Sequence, residues 1–408
     1  MATWALFLGL AFLMVSAGLF ATLLGVRAEQ VGLSTVLSGA ISASYYVGFL
    51  AGSKVTLQSL DRVGHIRVYS ALASTLAAAM ICVGLTYSPI GWMGLRFATG
   101  MCLAGLYVVA ESWLNDLATN ETRGRLLGIY VVITSATFAG GQLMLPLFDP
   151  TASAGYAVVG VLTALAVVPV SLSESSAPPM IKDSERISLR ELARVVPTGV
   201  GSCFLVGIAH GALGGMAAIY ATRAGLSPAR IGLFVAAPQI GGVVFQWPAS
   251  MASDDIDRRA VGALASMTSV LAGLMLLAVP ADSQAALGLM FLLGGASYPL
   301  YSIAAAYTND WVDPEHINAA ASQLIALYGI GAIMGPFTAA GLLVVLGPHG
   351  FFWQTIAVHT MLAAFFAYRM KVWRAPLAKR PWSEVSLPAR VFYVPATVVA
   401  FGRRARRR

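Results

Sequence analysis

The chain reads as an all-α membrane protein: twelve transmembrane helices in two six-helix bundles related by an internal repeat. Three observations predict this. First, 58% of the 408 residues are apolar and 11% are charged, against roughly 45–50% and about 25% in soluble domains. Such a chain must use lipid as solvent, where backbone polar groups are satisfied internally and only helix bundles or closed barrels span. Second, the apolar runs are roughly 20 residues long, the length of a membrane-crossing helix and not of a barrel strand. Third, residues 94–116 (GLRFATGMCLAGLYVVAESWLND) and 288–310 (GLMFLLGGASYPLYSIAAAYTND) align at a shift of 194 with nine identities, among them Gly100/Gly294, Tyr107/Tyr301 and Asp116/Asp310. A repeat of half the chain length inside an apolar protein marks a two-bundle architecture.

The spans are expected at 3–26, 35–59, 67–87, 90–115, 126–148 and 154–172, then at 197–222, 228–252, 260–279, 284–308, 317–343 and 350–370. The start MATW lacks a basic leader, and its long apolar run reads as a retained first helix. Ser88-Pro89 and Asp149-Pro150 are turns between spans. Ser227-Pro228 reads as an N-cap followed by proline at the first helical position, and Pro280 as a stop after the ninth span. The domain reading is an N-terminal bundle (1–172), a cytoplasmic linker (173–196), a C-terminal bundle (197–370) and a basic tail (371–408). The linker closes with an amphipathic segment, Ile187 to Val196, expected on the membrane surface. The tail ends in Arg-Arg-Ala-Arg-Arg-Arg and reads as either an interfacial segment binding acidic lipid or a solvated end.

With the N-terminus inside, 22 of the 26 Lys and Arg fall in inner loops and the C-terminal end. Arg27, Arg223 and Arg230 fall in outer loops, and Arg96 lies within a span. This asymmetry places both termini in the cytoplasm of a bacterial inner membrane. The net charge of +8 is then a topology signal and not a nucleic-acid footprint. Cys82, Cys102 and Cys203 all fall inside spans and imply neither a disulfide framework nor a metal site. No nucleophile–base pair or metal cluster points to an enzyme, no phosphate loop points to ATP-driven transport, and no cofactor is implied.

Ionisable residues inside spans are the first functional candidates, because a mid-bilayer Arg costs at least about 2.5–3.5 kcal/mol. The fourth span carries two. At 100° and 1.5 Å per residue, Gly100, Tyr107 and Glu111 lie about 40°, 20° and 60° round from Arg96, so the four share one stripe, with Arg96 and Glu111 about 22 Å apart. Arg96 could hold an anionic group or brace helices one and four. Glu111 could be a protonatable coupling carboxylate or part of a cytoplasmic gate. His210 in span seven could relay protons or be a hydrogen-bonded neutral ring. Tyr45, Tyr46, Gln142, Gln239, Gln246, Tyr298, Tyr301, Gln323 and Tyr328 are further substrate candidates, with helix packing as the alternative for each. Pro299 frees a carbonyl beside Tyr298. The repeat is asymmetric here: Met290 faces Arg96, and Ala305 faces Glu111.

These residues resemble the major facilitator superfamily over 1–370. Asp61-Arg62-Val63-Gly64 between spans two and three is similar to its cytoplasmic loop motif, Arg96 with Gly100 to its Arg-x-x-x-Gly motif, and Thr122-Arg123-Gly124-Arg125 to its basic turn. Tyr107 to Asn115, Gly141-Gln142, Gln246-Trp247-Pro248 and Tyr298-Pro299 resemble the bacterial YcaD-like branch. The resemblance implies a cytoplasmic gate of Asp61, Arg62, Arg67, Arg123 and Arg125, with Asp254 and Arg258 in the second half. It also implies a role for Arg96 in proton coupling. The loop departs from the pattern at Leu57, His65 and Ile66, and in the second copy at Ser250, Asp255 and Asp257. The function expected is a monomeric secondary active transporter of a small organic solute, with protons as candidate coupling ion and membrane lipids as partners. The alternatives are a lipid or amphiphile translocator and a non-transporting receptor or assembly factor.

Overall fold

The structure, a computed structural model, describes residues 2–117, 123–172, 187–313 and 316–372. The first bundle holds α1 (Ala2–Gln30), α2 (Thr35–Val63), α3 (His65–Leu85), α4 (Pro89–Leu117), α5 (Arg123–Leu143), α6 (Ser153–Leu165) and α7 (Val167–Ser171). A short α8 (Leu189–Val195) precedes the second bundle. That bundle holds α9 (Pro197–Arg223), α10 (Pro228–Asp255), α11 (Arg258–Ala278), α12 (Gln284–Ser297), α13 (Pro299–Asn309), α14 (Ile317–Leu346) and α15 (Gly350–Val372). Two crossings are interrupted at proline. Pro169 cannot donate to Leu165, and α6 gives way to α7 at Ala166. Pro299 cannot donate to Gly295, and the tenth crossing breaks at Tyr298 between α12 and α13. The result is an all-α membrane fold with apolar side chains such as Leu264 and Val345 exposed on its rim.

Several ends follow local chemistry. Ser227 is extended (φ −64°, ψ 156°) and its Oγ accepts from the Arg230 N–H, as the Ser-Pro pair predicts. Its counterpart Ser34, 193 residues earlier, caps α2 through the Leu37 N–H. Two expectations are corrected. The Asp61–Arg67 segment is not a loop: α2 continues to Val63, α3 begins at His65, and Gly64 alone joins them. Gly64 reverses the chain with φ +88°, a conformation open to glycine. Arg27 does not lie in an exposed outer connection, because α1 runs one turn further and the side chain is fully buried. Its guanidinium donates to the Val83 and Gly84 carbonyls at 3.3 and 3.1 Å and sits over the rings of Tyr87, Trp92 and Tyr156. The segment after the linker is also less peripheral than its amphipathic pattern suggests. Ile187, Leu192 and Val196 are buried, and α8 packs on α9 and α14.

The repeat is written in the backbone contacts. A Cβ on Gly48 of α2 would collide with the Phe97 carbonyl of α4, and one on Gly241 of α10 with the Phe291 carbonyl of α12. Gly100 meets the Tyr45 carbonyl, as Gly294 meets that of Pro238. Gly18 meets the Phe138 carbonyl and Gly141 that of Val15, as Gly211 meets Ala332 and Gly335 meets Ile208. The first two helices of each bundle thus correspond at a shift of 193, and their partners at 194. Gly25 of α1 abuts the Cβ of its own counterpart Ala218 on α9. A position that touches its own repeat mate lies on the pseudo-twofold axis.

Interlock of this kind makes a paired test. Gly141→Ala forces a methyl into the Val15 carbonyl and is expected to cost about 1–3 kcal/mol. A Cβ on Gly140 would meet nothing within 4 Å. Gly140→Ala is therefore expected to be neutral or to stabilise by about 0.5–1 kcal/mol. Thermal unfolding of the two variants in detergent checks this. Equal effects would show that the backbone approach is not what holds α1 to α5.

Candidate functional site

A cavity lies between the bundles beside the Gly25/Ala218 contact. Its walls come from α1 (Ala17 to Thr22), α2 (Tyr45, Tyr46), α4 (Arg96, Thr99, Leu103), α5 (Phe138, Gln142), α9 (Leu213 to Ala218), α10 (Val235, Pro238, Gln239) and Tyr298. It encloses about 790 Å³ of empty space, mouth included. Tyr46 and Gln239 are repeat counterparts, so each bundle presents the same helix face to the cavity.

The face of the α1 terminus and of Val372 is here the terminal face, and the opposite one the distal face. Among the described residues, close inter-bundle contacts cluster in the distal half. Glu29 and Arg223 form an ion pair at 2.7 Å between α1 and α9. The Ser42 hydroxyl donates to the Gly215 carbonyl at 3.0 Å. Gly39 approaches the Pro336 carbonyl and the Ala340 Cβ, and Gly232 approaches the Gln142 carbonyl. Nearer the middle, Leu50 fills the space above Gly329. This conformation is sealed toward the distal face.

Six of the sequence candidates, Tyr45, Tyr46, Arg96, Gln142, Gln239 and Tyr298, line the cavity. The Arg96 guanidinium stands 4.4 Å over the Tyr45 ring and 5.6 Å from that of Phe20. Helix α4 places it there because Gly100, one turn on, lets α2 approach close enough to bring Tyr45 under it. The Gln142 side chain is buried, and its Oε1 has no hydrogen-bond partner. The Gln239 amide donates to the Tyr298 hydroxyl at 3.3 Å.

The other candidates lie outside that lining. The Tyr107 hydroxyl donates to Met14 Sδ at 3.0 Å. Glu111 is buried, and its Oε1 accepts from the Tyr130 hydroxyl at 3.4 Å. His210 sits behind Tyr298, with ring centroids 4.8 Å apart. Its Nε2 faces the Ser297 carbonyl at 3.1 Å, and its Nδ1 faces the Tyr328 hydroxyl at 3.2 Å. A carbonyl accepts only, so Nε2 carries the proton and Nδ1 accepts from Tyr328. His359 repeats the pattern, with Nδ1 toward the Thr355 carbonyl at 2.8 Å and Nε2 toward the Ser297 hydroxyl at 2.9 Å. Both rings are satisfied in the neutral form. Tyr301 is fully buried, and its ring lies edge-on to Tyr328 at 5.3 Å. The Gln323 amide donates to the Ile187 carbonyl at 3.2 Å, tying α14 to the start of the post-linker segment.

The gate candidates divide between the halves. The side chains of Asp61, Arg123 and Arg125 lie outside the described residues, while Arg62 and Arg67 are exposed. In the second half Arg258 is buried and clamped. It meets Asp310 at 2.7 Å, Asp254 at 3.0 Å and the Ser253 hydroxyl at 3.0 Å. The side chains of Arg258 and Asp310 are 1% and 0% exposed. The clamp joins the α10–α11 turn to the end of α13. Sequence reasoning named Asp254 and Arg258 but missed Asp310, although its identity with Asp116 in the repeat marked it. It missed the Glu29–Arg223 pair as well, which has no local signature.

The Major Facilitator Superfamily profile matches residues 6–199 and again 199–404. A protein of Escherichia coli O139:H28 (strain E24377A / ETEC) described as "Uncharacterized MFS-type transporter YcaD" is 29% identical over 333 residues, 81% of this chain and 86% of its own length. The protein of the same description in Shigella sonnei (strain Ss046) matches to the same extent. Among solved structures, the nucleoside transporter NupG superposes with TM-score 0.73 at 12% identity, covering 91% of this chain and 100% of that one. A bacterial homologue of the human lysosomal transporter Spinster, inward-facing and occupied, gives 0.72 at 15%, covering 90% and 96%. A D-xylose–proton symporter gives 0.70 at 14%, covering 89% and 96%. With the repeat matched twice and the fold shared along the chain, this protein belongs to the major facilitator superfamily of membrane transporters.

Proposed function

We propose that the chain is a secondary active transporter that carries a small organic solute across a bacterial inner membrane by alternating access, with its terminal face in the cytoplasm. The observation that carries this reading is the central cavity, walled by repeat-related helices of both bundles and closed on one side by contacts between helices that stay intact. Rocking one bundle against the other about the Gly25/Ala218 axis would break Glu29–Arg223 and the Gly39 and Gly232 contacts without unfolding any helix. The charge asymmetry of the connections supports the orientation. It makes the described conformation one that is closed toward the outside. Proton coupling falls to Glu111, a buried carboxyl in a spanning helix beside the Tyr107 and Tyr130 phenols. The clamp of Arg258 with Asp254 and Asp310 acts as a cytoplasmic latch within the second bundle.

Three outcomes are expected. In a background free of native cysteine, Ala21→Cys reports the cavity. Replacing Glu29 and Arg223 together by Gln is expected to raise its labelling by a membrane-impermeant maleimide from the periplasmic face several-fold. No change would mean that the ion pair does not hold the outer closure. Glu111→Gln is expected to abolish accumulation driven by a pH gradient in proteoliposomes while leaving solute exchange intact. Retained accumulation would remove Glu111 from coupling. Arg258→Met takes the guanidinium away from the buried Asp310 carboxylate and is expected to cost about 3–5 kcal/mol. Combining it with Asp310→Asn should recover part of that loss, read as unfolding midpoints in a double-mutant cycle. Additive losses would show that the two groups are not coupled.

A further inference from the structure

We infer that the solute carries a lactam or carboxamide edge, an N–H donor beside a carbonyl acceptor, and that the side-chain amide of Gln142 on α5 is the group that recognises it. The inference rests on the cavity being the transport site proposed above.

Gln142 lines the cavity and is 6% exposed. Among the described lining residues, its Oε1 is the one buried side-chain oxygen without a hydrogen-bond partner. Its side chain also donates no hydrogen bond among the described residues. Neighbouring polar groups differ. The Thr22 and Thr99 hydroxyls bond back to the Gly18 and Arg96 carbonyls of their own helices, and the Gln239 amide donates to Tyr298. A buried amide oxygen left without a donor carries the full desolvation cost of that group. The main chain is fixed here, with Gly141 set against the Val15 carbonyl and Gly18 against the Phe138 carbonyl. The amide itself turns about its last side-chain torsion, which is broad. Its open side is the cavity.

An amide presents one acceptor and two donors in a single plane. The partner that satisfies oxygen and nitrogen together has a donor and an acceptor side by side in that plane. A lactam, an imide or a primary carboxamide has this edge. A carboxylate, an ester or a ketone only accepts, and leaves Oε1 unmet. An ammonium group only donates, and leaves the amide nitrogen unmet. A vicinal diol supplies both functions, but on a saturated body. The wall favours a flat one. Phe138 lies one turn back on the same face of α5 and lines the cavity together with Phe20 and Tyr46. A planar ring held by its edge at Gln142 meets those rings in offset or edge contacts.

The position adds a consequence for transport. The Gln142 main-chain carbonyl is the group that Gly232 of α10 approaches in the distal closure. The recognised edge therefore sits at the sealed end of the cavity, on the residue against which the second bundle closes.

The test uses the full chain in nanodiscs and four neutral ligands of similar size: 2-quinolinone, its N-methyl derivative, coumarin and tetralin-2,3-diol. Coumarin has the shape of the quinolinone with a ring oxygen in place of the N–H. All four are uncharged, so no ion pair enters the comparison. 2-Quinolinone is expected to bind at least about tenfold more tightly than coumarin, the difference between a paired amide and one that faces a second oxygen. The N-methyl derivative is expected to bind no better than coumarin, and the diol in between. Gln142→Met should bring quinolinone down to the level of coumarin and leave coumarin nearly unchanged. Coumarin binding as tightly as quinolinone, a lactam advantage that survives Gln142→Met, or no binding by any of the four overturns the assignment. A diol that binds as tightly as quinolinone and loses affinity in Gln142→Met overturns the lactam in favour of a polyol. If Gln142→Met fails to fold, the order of the ligands on the native chain decides. Labelling of Ala21→Cys separates the two levels. Two-sided labelling with the wrong ligand order sinks the lactam alone, and labelling confined to one face under all conditions sinks the transporter reading.

Discussion

Helices in lipid gain nothing from burying apolar surface against one another, since the solvent is as apolar as the side chains. What holds them is close approach of their backbones. In this protein that approach is made by glycines set against carbonyls at α1–α5, α2–α4, α9–α14 and α10–α12. Each crossing depends on the absence of a Cβ at two or more glycines. The same contacts set the shape of the cavity. Gly48 and Gly100 bring α2 onto α4 and so bring Tyr45 beneath Arg96, while Gly241 and Gly294 bring α10 onto α12 and so bring Gln239 to Tyr298.

A bundle built this way must also dispose of its charges. Arg259, buried, is paired with Asp257; three other arginines, Arg27 and Arg258 buried and Arg96 half-buried, are each handled differently. Arg27 is stabilised by the carbonyl end of α3, where the helix dipole favours a cation, and by three rings. Arg258 is paired with two carboxylates, Asp254 and Asp310, so its charge is met within the second bundle. Arg96 alone of the three faces the cavity. Burial by itself therefore does not mark a transport residue. What distinguishes Arg96 is that the space it faces is also where the two bundles meet.

Much of this was legible before the fold was known. The repeat, the span order and the serine cap at Ser227 follow from composition, period and local chemistry. Of the cavity residues, Tyr45, Tyr46, Arg96, Gln142, Gln239 and Tyr298 were visible as polar groups in apolar runs. Tyr107, Glu111, His210, Tyr301 and Gln323 carried the same signal and lie elsewhere. Helical periodicity tells which residues share a face, and not how far the space in front of that face extends. The stripe from Arg96 to Glu111 runs about 22 Å, and the cavity lining reaches only to Leu103 along α4. His210 illustrates the other limit. Its two partners, the Ser297 carbonyl and the Tyr328 hydroxyl, are 87 and 118 residues away, so no local pattern could tell a satisfied ring from a reactive one.

The two halves share a scaffold and divide the chemistry. Where α4 carries Arg96 and Glu111, the second copy carries Met290 and Ala305. Where α11 opens with Arg258 and its carboxylates, α3 opens with His65, whose Nε2 meets the Ser112 hydroxyl at 3.1 Å and whose ring lies 5.9 Å from that of Trp113. Duplication alone would have placed equal charges on both sides of the axis. Two guanidiniums facing one apolar cavity would repel, and both would carry a desolvation cost. A guanidinium on one side only leaves a single polarised wall opposite a wall of amide and phenol. That is the arrangement in which a bound solute has one orientation, and in which motion of one bundle relative to the other changes its surroundings on one side only.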